Sequence, residues 1–194
     1  MKKSGFIIIL SFFTVQLFAQ NSGTLVGGMN ISTFRNKATD NTPIAGWFAG
    51  FQFSKEMDKN YYLKAVPQFT QIGSAFQADT TKGVDQLIYL KLPVHIQQRI
   101  LIRNQLFYFE AGPYAALSAG GKEKIEGEEE QPIHAGGDVF PLNTIDFGLG
   151  ASVGTIINTI ELGIGVDYGI QDIHRASKFL IYNRVYYFSI GFNW

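Results

Sequence analysis

From Thr159 to Gln171 the chain alternates without a break: Ile160, Leu162, Ile164, Val166, Tyr168 and Ile170 interleave with Glu161, Gly163, Gly165, Asp167, Gly169 and Gln171. Side chains on a β-strand point to opposite faces with a period of two, so this segment has one apolar face and one face of glycines and carboxylates. The preceding segment repeats the design, with Ile145, Phe147, Leu149, Ala151 and Val153 set against Asp146, Gly148, Gly150, Ser152 and Gly154. So does the last segment, where Tyr186, Phe188, Ile190, Phe192 and Trp194 oppose Tyr187, Ser189, Gly191 and Asn193. A soluble sandwich would give its second face to water and fill it with Lys, Thr and Glu. Glycines facing a confined interior suit a narrow barrel whose bulky face meets lipid.

Further segments of this kind near residues 24–32, 45–55, 60–72, 86–100 and 104–118 bring the predicted strands to eight. An even number returns both ends of an antiparallel barrel to one side, and closure removes the unpaired edges that hydrocarbon does not tolerate. The connections alternate as well: long at 33–44, 73–85, 119–141 and 171–182, short at 56–59, 101–103 and 157–158. Outer-membrane barrels have short periplasmic turns and longer extracellular loops, so the termini are expected on the periplasmic side. The expected fold is all-β, an eight-stranded antiparallel up-and-down transmembrane β-barrel. Pro67, Pro93 and Pro113 fall inside predicted strands and each removes a ladder donor, which places them at bulges or beside a neighbour that has ended.

At the N-terminus Lys2 and Lys3 precede an apolar run from Phe6 to Val15, and Leu17, Phe18 and Ala19 offer a cleavage point before Gln20, Asn21 and Ser22. That is the pattern of a secretory signal peptide, too short to span a bilayer as a helix of roughly 20 residues. The predicted division is a signal peptide over 1–19 and a barrel domain over 20–194. Composition agrees, with 21 Gly, 17 Phe and 9 Tyr. Sixteen basic residues balance sixteen acidic ones, so no nucleic-acid partner is expected. The absence of cysteine excludes disulfides, thiolate metal sites and a cysteine nucleophile.

Three stretches carry a family resemblance. Tyr89-Leu90-Lys91-Leu92-Pro93, Glu110-Ala111-Gly112-Pro113-Tyr114 and the closing run from Asn183-Arg184-Val185 to Trp194 resemble the PorT-type outer-membrane β-barrel proteins of the Bacteroidetes, over essentially the whole chain after residue 19. Lys91 stands where that pattern has an acidic or amide residue. The resemblance implies residence in the bacterial outer membrane. It also implies that Phe188, Phe192 and Trp194 form the terminal signal read by the outer-membrane assembly machinery. One member of the family is linked to protein secretion, so an accessory role there is an alternative.

Parity along the predicted strands turns Lys64, Gln68, Lys91, His95, Arg99, Tyr108, Glu110, Tyr114, Asp146, Glu161 and Asp167 inward. Eight strands enclose a space that side chains just fill, and buried charges persist only when paired. The expectation is a salt-bridged lumen network of Lys64, Lys91, His95, Arg99, Glu110, Asp146, Glu161 and Asp167 that fixes strand register; a small-ligand pocket is the alternative, and a porin-like channel needs about twice as many strands. His134 and His174, with Asp138, Asp172 and Ser177 nearby, could be drawn as a hydrolase site acting on lipid or peptide, but only geometry defines a triad. No cofactor or metal spacing is present. The run Lys122, Glu123, Lys124, Glu126, Glu128, Glu129 and Glu130 reads as a solvated loop tip. Trp47, Tyr61, Tyr62, Tyr89, Tyr108, Tyr168, Tyr182 and Trp194 are candidates for the interfacial girdles, Tyr108 by its place near a strand end despite its inward parity. The expected protein is non-enzymatic, of structural or interaction type, surrounded by outer-membrane lipid and offering its long loops to an envelope or secretion partner. A soluble lipocalin-like barrel would invert the faces.

Overall fold

The computed structural model describes residues 22–35, 40–78, 81–127, 129–133, 145–171 and 182–194. They form one antiparallel sheet of ten segments: β1 (Ser22–Arg35), β2 (Asp40–Asp58), β3 (Tyr61–Ala65), β4 (Gln68–Ala78), β5 (Thr81–Ile102), β6 (Gln105–Ile125), β7 (Gln131–Ile133), β8 (Ile145–Ile157), β9 (Ile160–Gly169) and β10 (Tyr182–Asn193). β3 and β4 are halves of one stave, parted at Val66 and Pro67, and both lie between β2 and β5. β7 only flanks the end of β6. The remaining pairings run in chain order and return from β10 to β1, which closes a ring of eight staves. The fold is therefore an all-β, up-and-down antiparallel barrel.

The faces fall as the periodicity requires. Phe147 is 45% exposed and Phe188 50%, whereas Glu161 and Asp167 are each 4% exposed. Ile164 also stands outside, so the inverted, lipocalin-like arrangement does not hold. The short connections are two-residue hairpins at one end of the barrel. Arg103 and Asn104 join Ile102 to Gln105 with φ of 48° and 67°, and Asn158 begins the turn from Ile157 to Ile160 with φ of 54°. These turns twist with the strands because they accept positive φ, which asparagine tolerates.

At the other end the structure corrects three expected loops, the first being 33–44, whose residues 33–35 and 40–44 belong to β1 and β2. Most of 73–85 is strand, since β4 and β5 stay paired to Ala78 and Thr81, and β6 carries the chain to Ile125. β5 and β6 have 22 and 21 residues, β9 only 10. A tilted strand crosses hydrocarbon in about 9–11 residues, so β5 and β6 project well beyond the belt. Ile88 and Leu117 are its last large outward side chains there; past them stand Gln86, Lys122 and Lys124. A bulge on β6 between Ser118 and Gly120, the latter at φ 120°, switches the parity and turns Glu123 toward Asp85.

The prolines cluster across three neighbouring staves. Pro67 sits at the β3/β4 break, where its carbonyl accepts from the Phe51 N–H at 3.1 Å and the Val66 N–H donates to the Pro93 carbonyl at 3.1 Å. Pro93 and Pro113 lie in unbroken strands, beside a gap in the β5–β6 ladder between the pairs Pro93–Tyr114 and Ile96–Ala111. Missing donors are thus gathered where pairing already lapses.

Candidate functional site in the lumen

The inward faces of β3, β5, β6, β8 and β9 each deliver one or two ionic groups to the axis. Lys64 of β3 places Nζ 2.8 Å from Glu110 Oε2 on β6 and 2.9 Å from Glu161 Oε1 on β9. Lys91 of β5 is ion-paired with Asp167 of β9, and its ammonium lies 4.2 Å from the Tyr114 ring centroid. Glu110 is the hub. Its Oε2 also accepts from Gln97 Nε2 at 2.9 Å, and its Oε1 accepts from Ser152 Oγ at 2.9 Å and faces His95 Nδ1 at 3.3 Å. Glu161 accepts a further bond from Gln52 Nε2 at 3.0 Å. All these side chains are buried, and Glu110 and Glu161 tie together six strands, β2, β3, β5, β6, β8 and β9. These charges are tolerated because both oxygens of Glu110 and both of Glu161 meet donors.

Gly150 shows how little room is left: a Cβ built there would stand 2.4 Å from Asp167 Oδ1 and 3.0 Å from His95 Nε2. The glycines of the inner face serve the tyrosines. A Cβ on Gly154 or Gly163 would lie 2.4 or 2.3 Å from the Tyr108 hydroxyl, one on Gly148 2.3 Å from the Tyr114 ring, and one on Gly165 2.4 Å from that of Tyr187. Gly154, Gly148 and Gly165 are the direct cross-strand partners of Tyr108, Tyr114 and Tyr187, so each ring lies over a neighbouring stave that carries no side chain there.

Of the eight residues expected in the network, the structure brings Lys64, Lys91, His95, Glu110, Glu161 and Asp167 together. Asp146 lies beside them, bonded to Tyr114 and Asn183. Arg99 departs from the expectation: its guanidinium stacks 3.8 Å from the Tyr62 ring centroid, its Nε donates to Gln97 Oε1 at 2.7 Å, and it has no ion pair among the described residues. It sits near the hairpin end of β5, where its partners are a ring on the adjacent β3 and an amide two residues back on its own strand. Gln52, Gln97, Ser152 and Asn183 were not singled out, although they share the parity of their charged neighbours; period two marked them and only their neutrality hid them.

The lumen is also less polar than the glycine pattern suggested. Phe34, Ile72, Leu87, Tyr89, Tyr114, Ala116 and Val185 form a buried apolar layer beyond the charges, toward the end away from the hairpins. Val26, Phe48 and Val66 form a second, with Tyr187 edge-on to Phe48 at 5.8 Å. Between charges and aromatics remains a cavity of about 60 Å³, lined in part by Lys91, Asp146, Tyr114 and Asn183. That holds only a few waters.

Two other expectations change. Tyr89 and Tyr108 are buried in the lumen, and Tyr62 lies under Arg99, so none of the three belongs to a membrane girdle, whereas Trp47, Tyr61, Tyr168 and Trp194 are exposed. Lys122 to Lys124 are strand, not loop tip, and Lys122 pairs with Glu130 at 2.5 Å in the open. His134, His174, Asp138, Asp172 and Ser177 lie outside the described residues, as does Glu128. Phe188, Phe192 and Trp194 are exposed on or just past β10, and the Trp194 N–H donates to the Gly23 carbonyl at 3.1 Å across the β1–β10 seam.

The profile of the outer membrane protein beta-barrel domain family matches residues 18–175. No curated protein matches the chain. Among solved structures, Ail, the attachment invasion locus protein of Yersinia pestis, in complex with the heparin analogue sucrose octasulfate, is similar at 11% identity and a TM-score of 0.49, covering 90% of this chain and 99% of its own. Neisserial surface protein A is similar at 10% identity and a TM-score of 0.48 over 88% of this chain and 96% of its own. The outer membrane protein OprG from Pseudomonas aeruginosa gives 13% identity and a TM-score of 0.45 over 90% and 96%.

Proposed function

We propose, from the premise that this chain belongs to the outer membrane protein β-barrel domain family and resides in the bacterial outer membrane, that it is a non-enzymatic barrel of structural or interaction type. Its work lies on its projecting end, and its lumen serves as an internal brace. The observation that carries this reading is Lys64 held between Glu110 and Glu161, with Gln52, Gln97 and Ser152 closing the remaining bonds. A passage for solutes needs open polar space along its axis; here ion pairs and two apolar layers occupy it.

The finer identity follows from the same residues as the resemblance. We infer a PorT-type barrel of a Bacteroidetes envelope, exported after loss of residues 1–19, inserted by the assembly machinery through Phe188, Phe192 and Trp194, and contacting an envelope or secretion partner. The projecting hairpin of β5 and β6 supports an outward contact, because its outward positions beyond Ile88 are Lys82, Gln86, Lys122 and Lys124 with Val84 among them.

Crosslinking in intact cells from positions 122 and 124, followed by identification of the captured protein, tests the interaction. One specific envelope protein is the expected result. Stepwise conductance of the purified barrel in planar bilayers would overturn the braced-lumen reading, and co-purification with secretion components would assign the partner class.

A further inference from the structure

Asp146 is 2% exposed and, among the described residues, has no cation within ion-pair distance, whereas Glu110 and Glu161 share Lys64 and Asp167 holds Lys91. Its Oδ2 is satisfied, accepting from the Tyr114 hydroxyl at 3.1 Å and from Asn183 Nδ2 at 2.7 Å. Among the described residues its Oδ1 is buried with no partner. Asn183 is equally enclosed at 2% exposure, and among the same residues its own Oδ1 is also buried and without a donor. Two acceptor oxygens on side chains joined by one hydrogen bond therefore lie unsatisfied on the wall of one cavity.

Water donating a hydrogen would meet the hydrogen-bonding need of such oxygens but not the charge. Among the described residues, four carboxylates stand in this part of the lumen against the two ammonium groups of Lys64 and Lys91, and Asp146 is the one that no ammonium reaches. A buried carboxylate left in that state must take up a proton or a cation. The oxygens present are hard ligands, no thiolate or free imidazole pair competes, and the cavity of about 60 Å³ has space for an ion with part of its water shell.

We propose that Asp146 Oδ1 and Asn183 Oδ1 together hold a divalent cation of the Ca²⁺ class inside the lumen, with water completing its coordination. Ca²⁺ suits the place better than Mg²⁺ because it accepts irregular, mixed protein and water coordination, whereas Mg²⁺ requires near-octahedral geometry. The ion supplies the charge that the lysines do not, and it fastens β8 to β10 at the end where β9 has already stopped.

The test uses the full barrel refolded in detergent with and without Ca²⁺ after chelator treatment. Two signals are read: the denaturant midpoint, and Tb³⁺ luminescence sensitised by Tyr114 and Tyr89, which border the site. In the wild type the folding equilibrium constant should rise about tenfold when free Ca²⁺ is about ten times its dissociation constant, and Ca²⁺ should quench the Tb³⁺ signal. Asp146→Asn keeps the shape and removes the charge, so it should fold and lose both responses; Asn183→Ala should weaken both. A wild type indifferent to millimolar Ca²⁺ and Tb³⁺ would overturn the proposal in favour of a proton on Asp146. An Asp146→Asn barrel that still responds in full would overturn it in favour of the exposed carboxylates around the β6–β7 turn.

Discussion

Lys64 and Glu110, forty-six positions apart on β3 and β6, are ion-paired at 2.8 Å with 5% of each residue exposed. Because Lys64 also holds Glu161, removing it leaves two buried carboxylates facing each other. Lys64→Met should destabilise the barrel by about 3–5 kcal/mol. Adding Glu110→Gln and Glu161→Gln should restore most of that loss, since a neutral, shape-matched lumen no longer contains unpaired charge. Urea titrations of the refolded barrel in lipid vesicles measure both; a triple variant no more stable than the single one would show that Lys64 acts by packing on Tyr108, whose ring lies 5.4 Å away.

The glycine face predicts a steric effect of opposite kind. Gly154 and Gly163 flank the Tyr108 hydroxyl so closely that any side chain there must displace the ring. Gly154→Val or Gly163→Val should cost about 1–3 kcal/mol, whereas pairing either with Tyr108→Ala should reduce the penalty. The coupling energy from the double-mutant cycle is the measurement.

This complementarity shows what was legible in the sequence and what was not. Alternation from Ile160 to Ile170 was enough to set which face meets lipid, and the strand count followed from repeating it. Parity also turned Lys64, Lys91, His95 and Glu110 to one axis. It did not say which stave lies across from which, so the partnership of Lys64 with Glu161 and the displacement of Arg99 onto Tyr62 were hidden. The inward apolar layer of Phe34, Ile72 and Leu87 escaped for a related reason: these residues continue the inward parity of Ser32, Thr70 and Lys91, but polar and ionic side chains were followed into the interior and apolar ones passed over. The bulge at Ser118 to Gly120 reversed parity where counting by twos assumes none.

Trp194 closes the ring, and the proposed insertion signal gives it a second, testable role in assembly. Its N–H bonds Gly23, and a Cβ at Gly23 would lie 2.8 Å from its ring, so the indole covers the β1–β10 seam. Trp194→Ala should lower the amount of folded protein in the outer membrane severalfold, and Trp194→Phe should largely retain it. Equal levels for both variants in membrane fractions would remove the terminal aromatic from the insertion step.

Asp85 gives the protein a pH response outside the membrane belt. It lies on the projecting part of β5, with Ser74 of β4 on one side and Glu123 of β6 on the other, and among the described residues its Oδ1 is buried without a hydrogen-bond partner. Burial first, and the Glu123 charge second, push its carboxyl up from 3.8 to about 7. The folded state therefore keeps a proton that the unfolded chain releases near pH 4. Below that value the group imposes no penalty; as pH rises through about 7 the stability it confers is lost. The size is roughly 2 kcal/mol, less than the full shift would give because the strand extension is flanked by water. Denaturation midpoints followed from pH 4 to 8 should fall for the wild type and stay flatter for Asp85→Asn, with Glu123→Gln between the two. A wild-type profile parallel to that of Asp85→Asn would mean that the carboxylate is ionised throughout and that the strand extension opens enough to hydrate it.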